Sequence, residues 1–162
     1  MESEPGRGSV FRIFLPVSAE EIPIQHEISA SVPAFEGIGT VLVVEDEVQV
    51  RDMVKEMLIS MGFSVLEARD GIEAVGVFRQ HQDEIRCVVC DLTMPRMDGW
   101  ETLAALRKLS PDIPVILSSG YDEAQVMADE HPDRPNAFLG KPYQLKGLME
   151  TISRVLTVPV HL

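Results

Sequence analysis

The 162-residue chain has little of what marks secreted, membrane-spanning or nucleic-acid-binding proteins. Two cysteines are too few for a disulfide-stabilised secreted fold. No apolar stretch approaches the roughly 20 residues that span a bilayer, and the N-terminus does not resemble a signal peptide. Lysine and arginine number 14 against 26 aspartates and glutamates, a net charge of −12, which argues against nucleic acid and anionic membranes as direct partners. We therefore expect a cytoplasmic protein.

Proline spacing sets the first 36 residues apart from the rest of the chain. Four prolines occur there: Pro5, Pro16, Pro23 and Pro33. They leave no room for a long helix. A single strand over 10–15 is predicted, and residues 17–37 have the acidic, proline-spaced composition of a linker. We expect one domain over 38–157 and a short tail over 158–162.

Short apolar segments alternate with amphipathic ones throughout this domain. The predicted strands are 41–44, 63–67, 85–90, 115–117 and 136–139. The predicted helices are 48–61, 72–78, 100–109, 122–130 and 143–156. This alternation predicts an α/β fold, a doubly wound five-stranded parallel sheet with helices on both faces.

Ligands of an open parallel sheet bind beyond the carboxyl ends of its strands, so the residues that follow each strand are the site candidates. These residues are Glu45, Asp46 and Glu47 after the first strand, Asp91 after the third, Ser118 and Ser119 after the fourth, and Lys141 after the fifth. Three of these carboxylates, those of Glu45, Asp46 and Asp91, should therefore meet a hydroxyl and an ammonium group at one edge of the sheet.

Clustered carboxylates repel one another unless protons or a cation intervene. Mg²⁺ is the natural cation, with Mn²⁺ as a substitute, because it prefers oxygen ligands and is often held by carboxylates and phosphate. A carboxylate beside Mg²⁺ can act as a nucleophile, while a hydroxyl and a lysine bind phosphoryl oxygens. The combination predicts reversible phosphorylation of an aspartate.

Four segments, in order, resemble the receiver domains of two-component response regulators. They are VLVVEDE (41–47), CDLTMPRMDG (90–99), PVILSSGY (114–121) and FLGKPY (138–143). The resemblance covers about 38–157 and implies a flavodoxin-like sheet with strand order 2-1-3-4-5. It also implies that Pro95 and Gly99 shape the loop after the third strand and that Pro142 follows a cis peptide bond.

The resemblance also implies a role for each candidate site residue. Asp91 is the phospho-acceptor, assisted by Lys141 and Ser119. Mg²⁺ is held by Asp46, by Asp91, by the backbone carbonyl of Thr93 and by Glu45 through water. Ser119 and Phe138 are the switch residues that respond to the phosphoryl group.

The first residues have a resemblance of their own. Residues 2–16 look like the end of a histidine-kinase ATP-binding domain, with its last glycine-rich box and final strand. The remaining boxes of such a domain are missing, so this fragment is expected neither to bind ATP nor to phosphorylate itself from ATP. We expect residues 1–16 to be the remnant of that domain and the chain to be the C-terminal receiver of a hybrid sensor histidine kinase, whose parent could be membrane-bound. No DNA-binding domain is expected to follow.

The expected partner is a phosphohistidine, carried by a kinase hairpin or by a phosphotransfer protein. A homodimer could form through the predicted fourth helix, fifth strand and last helix, or through the N-terminal strand. The alternative is a stand-alone single-domain regulator that acts by docking. A haloacid-dehalogenase-type phosphohydrolase is disfavoured because Thr93 stands where that family has a second aspartate. A flavodoxin is disfavoured by the acidic loop after the first strand.

Several residues have a simpler interpretation. Cys87 and Cys90 lie three apart on a strand, which places them on opposite faces and predicts buried free thiols rather than a redox or zinc pair. Asp98 is expected to be a turn residue rather than a metal ligand. His26 lies between Pro23 and Pro33, which excludes the long helix of a phospho-accepting histidine box. The strand at 10–15, without its parent sheet, is expected to be disordered or to pair with the receiver or a neighbouring chain.

Overall fold

The computed structural model describes residues 2–4, 8–10, 12, 14, 37–121 and 131–157. The chain divides into two compact units, Met1–Pro33 and Ala34–Leu162, which are described separately. Within the described residues, no helix has the length and apolar character that crossing a membrane requires.

The first unit contains a short antiparallel pair. Strand β1 (Glu2–Glu4) pairs with β2 (Gly8–Val10), with Ser3 opposite Ser9. The strand therefore begins and ends earlier than predicted, and Arg12 and Phe14 belong to no strand. A partner only a few residues away provides local pairing that the single-strand prediction did not consider. The other residues of the predicted strand lie outside the described residues.

The second unit contains five strands and four helices among its described residues. The strands are β3 (Thr40–Val44), β4 (Ser64–Ala68), β5 (Ile85–Asp91), β6 (Val115–Ser119) and β7 (Ala137–Gly140). The helices are α1 (Val48–Ser60), α2 (Gly71–His81), α3 (Gly99–Leu109) and α4 (Leu145–Thr157). The predicted helix at 122–130 lies outside the described residues.

The five strands form one parallel sheet in the order β4-β3-β5-β6-β7. Counted from β3, this is the order 2-1-3-4-5, so the predicted fold class is confirmed. Val44 pairs with Cys90 and Asp91 pairs with Ser118. The carboxyl ends of the central strands are therefore neighbours, and this is the edge at which the sequence predicts a site.

Two apolar layers cover the sheet because successive strand side chains point to opposite faces. On one face Val41, Val43 and Cys87 pack with Leu58 of α1 and Ile152 of α4. On the other face, α2 and α3 supply much of the layer, which is made of Leu42, Val44, Val88, Cys90, Phe78, Leu103 and Leu106. Every residue of β3 is buried, as expected for a strand covered on both sides.

Helix α1 buries a narrower stripe than its sequence suggests. Val54 and Leu58 face the sheet, but Val48 and Met53 are 56% and 42% exposed. In α2, Ile72 is likewise 55% exposed. Val48 and Ile72 lie in first turns, where the chain has just left the sheet, and Met53 is about 100° round the helix from Val54. Beyond α1, Gly62 adopts a φ of +94°, a conformation that favours glycine.

Candidate functional site

Three carboxylates meet at the carboxyl edge of the sheet. Glu45 and Asp46 follow β3, and Asp91 is the last residue of β5. One carboxylate oxygen from each lies within 4.8 Å of the others. Glu45 and Asp91 are buried and Asp46 is exposed, so the acidic cluster, defined as these three residues, has one side open to solvent. The sequence predicted this convergence.

Lys141 joins the acidic cluster from the end of β7. Its Nζ lies 2.7 Å from Glu45 Oε2 and 2.8 Å from Asp91 Oδ1. Burial lowers the pKa of Lys141, but its hydrogen bonds to Asp91 and Glu45 outweigh this and leave that pKa above its usual value. Lys141 therefore stays charged and balances part of the negative charge. Its peptide bond to Pro142 is cis, as the resemblance implied.

Glu45 is the least exposed member of the acidic cluster. Burial raises the pKa of its carboxyl group, Lys141 opposes this with a hydrogen bond, and the charge of Asp91 raises it further. Its main-chain N–H donates to Ala68 at 3.0 Å, which fixes it to the end of β4. The fold thus keeps Glu45 in a buried position where its charged form is destabilised, a pattern that is common in functional sites.

Ser119 ends β6 beside the cluster and is 1% exposed. Its Oγ accepts a hydrogen bond from the Tyr121 N–H at 3.0 Å, and its carbonyl accepts one from the Lys141 N–H at 2.7 Å. Ser118, opposite Asp91 in the sheet, donates instead to the carbonyl of Cys90 at 3.5 Å. The two serines therefore have different contacts, and neither makes a described hydrogen bond to the Asp91 side chain.

The loop after Asp91 leads directly into α3. Thr93 is exposed in this loop, next but one to Asp91. Asp98 caps α3, accepting from the Glu101 N–H at 2.8 Å, while the Glu101 side chain accepts from the Asp98 N–H at 3.1 Å. Asp98 is therefore the N-cap of α3 rather than part of a turn, and it is not a member of the acidic cluster. A Cβ on Gly99 would lie 2.6 Å from the Asp91 carbonyl, so glycine permits this close approach.

An ion pair that the sequence analysis missed supports the same loop. Arg96, with a left-handed φ of 70°, pairs with the carboxylate of Asp70, which is 1% exposed. Asp70 also caps α2 by accepting from the Glu73 N–H at 2.9 Å. An open groove beside Asp46 is lined by Arg69, Asp70, Pro95 and Arg96. The sequence signal was an aspartate two residues before a predicted helix, close to a capping position that leaves one oxygen for a cation.

Phe138 lies in β7, opposite Leu117 of β6. It is half-buried and packs against the apolar layer that includes α2 and α3. Phe138 is therefore an edge-strand aromatic ring close to the strand that ends at Ser119.

The two cysteines are free and buried. Cys87 belongs to the apolar layer with α1 and α4, and Cys90 to the opposite layer. Burial raises the pKa of Cys87 to about 12 and raises that of Cys90 as well. Both thiols stay protonated at neutral pH, and the prediction of buried, non-paired cysteines is confirmed.

Comparison with known proteins identifies a family that the sequence of the chain matches. Residues 41–153 match the response regulator receiver domain. The chain is 38% identical over 162 residues to the sensor kinase CckA of Brucella abortus, an alignment that covers 96% of this chain and 17% of that kinase. The chain thus spans about a sixth of the length of this relative.

Two solved structures are similar to the chain. The receiver domain of the hybrid histidine kinase CckA matches with a TM-score of 0.62 and 33% identity, covering 74% of this chain and 100% of that one. TrrA of Thermotoga maritima, solved in complex with Mg²⁺-BeF, matches with a TM-score of 0.67 and 27% identity. The match covers 74% of this chain and 100% of TrrA. The chain belongs to the response regulator receiver domain family of two-component systems.

Proposed function

We propose that this chain takes a phosphoryl group from a phosphohistidine onto Asp91 and signals by a change of conformation. The observation that carries the proposal is the contact of Lys141 Nζ with both Asp91 and Glu45 inside the acidic cluster. A buried carboxylate beside an ammonium group and open on the Asp46 side is suited to accept a phosphoryl group. Membership of the receiver family supports the same role.

The acidic cluster suits a divalent cation. Its donors are carboxylate oxygens close enough to share one ion, and the exposed Asp46 leaves a route from solvent. Asp46, Asp91 and the backbone carbonyl of Thr93 would hold Mg²⁺ or Mn²⁺, with Glu45 acting through water. The bound ion would supply charge neutralisation between the carboxylates and the phosphoryl oxygens. TrrA, a similar protein, was solved in complex with Mg²⁺-BeF, which supports a divalent cation in the acidic cluster.

In the proposed reaction, a carboxylate oxygen of Asp91 attacks phosphorus, the phosphorus–nitrogen bond breaks and the imidazole leaves with its electron pair. The imidazole then takes a proton from solvent. Lys141 turns its ammonium group from the Asp91 carboxylate to a phosphoryl oxygen, while its contact with Glu45 holds the lysine side chain in place. Lys141 is therefore a catalytic residue that needs little movement.

Ser119 and Phe138 are proposed to transmit the change. The Ser119 hydroxyl, which lies at the end of β6, would donate to a phosphoryl oxygen. This shift would open space near Phe138 on the neighbouring strand and let the ring turn inward. The surface formed by the predicted helix at 122–130, by β7 and by α4 would change with it, as in other switches driven by new phosphoryl contacts. A homodimer could use the same surface or the N-terminal strand.

Chemical phosphorylation tests the proposal. We expect acetyl phosphate with Mg²⁺ to add one phosphoryl group, detected by intact mass and lost on treatment with hydroxylamine. Asp91→Asn should abolish this labelling. Asp112→Asn is the matched control, because Asp112 is exposed and precedes β6, at the end opposite the acidic cluster. Labelling that survives in Asp91→Asn would refute the acceptor assignment.

The chain is further proposed to be the C-terminal receiver of a hybrid sensor histidine kinase that works in the cytoplasm. Residues 1–16 would be the end of the ATP-binding domain, 17–37 a linker, 38–157 the receiver and 158–162 a tail. The similarity to CckA supports this, because it covers 96% of the chain and so extends beyond the receiver match at 41–153. The donor would be a kinase hairpin or a phosphotransfer protein.

The reading frame upstream of Met1 separates this proposal from a stand-alone regulator. Kinase boxes in frame with Met1 would support the hybrid kinase. A stop codon in the same frame would support the single-domain alternative and contradict the hybrid one.

A further inference from the structure

Arg51 is a cation close to the acidic cluster that the proposed chemistry does not use. It lies at the end of the first turn of α1, and its side chain is only 15% exposed. Its Nη1 donates to the main-chain carbonyl of Glu45 at 2.7 Å. Its Nε lies 3.5 Å from Glu67 Oε2 on β4. One guanidinium group therefore joins the ends of two neighbouring strands to α1.

The carbonyl of Glu45 belongs to the peptide unit that joins Glu45 to Asp46. Because a peptide unit is planar, a bond that fixes this oxygen also fixes the direction in which Asp46 leaves the strand. The preceding peptide unit is fixed as well, since the Glu45 N–H donates to Ala68 at 3.0 Å. Arg51 and Ala68 together hold the backbone from which both acidic side chains project.

A cation this close to the cluster would repel Mg²⁺ unless its charge were balanced. Glu67 balances it through the ion pair with Arg51 and also pairs with Lys55 on the next turn of α1. Lys55 has no described contact with Glu45. Arg51 thus differs from Lys55 in its bond to the carbonyl, although both pair with the same carboxylate.

We infer that Arg51 is a positioning residue, which orients Glu45 and Asp46 for Mg²⁺ and so for phosphorylation of Asp91. This inference rests on the proposed function, because it assigns Mg²⁺ to the acidic cluster. The planar guanidinium suits the task, since its separate N–H groups can reach the carbonyl and the carboxylate together. A lysine at position 51 could reach only one of them.

Mg²⁺ affinity is the readout that separates positioning from general stability. We expect the Kd for Mg²⁺ of Arg51→Met, measured by calorimetric titration, to rise about tenfold, as for other residues that orient metal ligands. Arg51→Lys should lie between wild type and Arg51→Met. In acetyl phosphate labelling, the half-saturating Mg²⁺ concentration should rise while the maximal rate changes much less.

Lys55→Met is the matched control, because it removes an ion pair with Glu67 from the same helix and leaves the Glu45 carbonyl bond intact. Its Mg²⁺ affinity should equal that of wild type. Should Arg51→Met fail to fold, Arg51→Lys and Glu67→Gln take its place, and Glu67→Gln should weaken Mg²⁺ binding less than Arg51→Lys does.

Unchanged Mg²⁺ affinity in Arg51→Met, or an equal loss in Lys55→Met, would overturn the inference while leaving the proposed function intact. A wild-type chain that takes no phosphoryl group would instead overturn the proposed function. The stability of each variant is measured by thermal unfolding in EDTA. This measurement shows whether a lower Mg²⁺ affinity results only from a less stable fold.

Discussion

Replacing Lys141 with methionine should make the stability of the domain depend strongly on pH and Mg²⁺. Nζ of Lys141 lies 2.7 Å from Glu45 and 2.8 Å from Asp91, whose side chains are 5% and 9% exposed. Without the ammonium group, two adjacent carboxylates face each other away from water. Either a proton or a metal ion must then take its place.

The expected loss is about 3 kcal/mol in the free energy of unfolding at pH 8. At an effective dielectric constant of about 20, each contact contributes about 6 kcal/mol before desolvation is subtracted. Removing one partner of a buried ion pair costs about 3–5 kcal/mol. The lower end applies because the Lys141 side chain is 22% exposed. For a domain of this size, the melting temperature should fall by about 10 °C.

The sign of the pH dependence follows from Glu45. Burial already raises the pKa of this carboxyl group above 4.5, and the hydrogen bond from Lys141 opposes the rise. Between the unfolded and folded pKa values, the folded state binds more protons, so stability falls as the pH rises. Loss of Lys141 raises the folded pKa further and widens this window. The variant should therefore be close to wild type at pH 5 and weakest at pH 8.

Urea unfolding followed by the fluorescence of Trp100, the one tryptophan of the chain, measures this. The two pH values are compared in EDTA and again with Mg²⁺, which should stabilise Lys141→Met more than wild type at pH 8. Lys146→Met is the control, because Lys146 is exposed in the first turn of α4. An equal loss at both pH values, or a similar loss in the control, would refute this electrostatic account.

Three further predictions concern the supports of the site. Asp98→Ala should lower the free energy of unfolding by about 1 kcal/mol and Asp98→Asn by much less, because asparagine also caps helices; equal losses in urea unfolding would contradict the capping role. Gly99→Ala should cost about 2 kcal/mol, since its Cβ would lie 2.6 Å from the Asp91 carbonyl, whereas Gly120→Ala meets nothing within 4 Å and should be neutral. Cys87 and Cys90 should react with a thiol reagent at pH 8 only after unfolding, because burial raises both pKa values; rapid reaction of the native protein would disprove this.

The parallel sheet and the position of the site followed from local features of the sequence, whereas the strand order was implied only by the resemblance to receiver domains. Apolar runs such as that of β3 indicate strands covered on both faces, and charged residues directly after them fall at one edge of a parallel sheet. Glu45, Asp46, Asp91 and Lys141 meet for this reason. The opposite placement of Cys87 and Cys90 follows equally from strand periodicity.

The contacts of the supporting residues could not be predicted in the same way. Arg51 reaches Glu67 and Arg96 reaches Asp70, each on an element distant in the sequence, and a long side chain can point in several directions. The short pairing of β1 with β2 was missed because an isolated strand of three residues gives almost no pattern. Exposed apolar residues such as Val48 also could not be identified. They fit the helical period, but the period does not show at which residue the helix leaves the sheet and loses contact with it.

Within the site, the contacts that hold the backbone are separate from the carboxylates that would bind a cation or a phosphoryl group. Three backbone carbonyls at the site are held by hydrogen bonds from other segments. Arg51 holds the Glu45 carbonyl, the Gly99 N–H holds the Leu92 carbonyl at 2.9 Å, and the Lys141 N–H holds the Ser119 carbonyl at 2.7 Å. None of these bonds uses a carboxylate of the acidic cluster. The carboxylates therefore stay available to exchange Lys141, a proton or a cation while the frame stays fixed. Changes in the frame should then alter Mg²⁺ affinity first, whereas loss of Asp91 should remove phosphorylation outright.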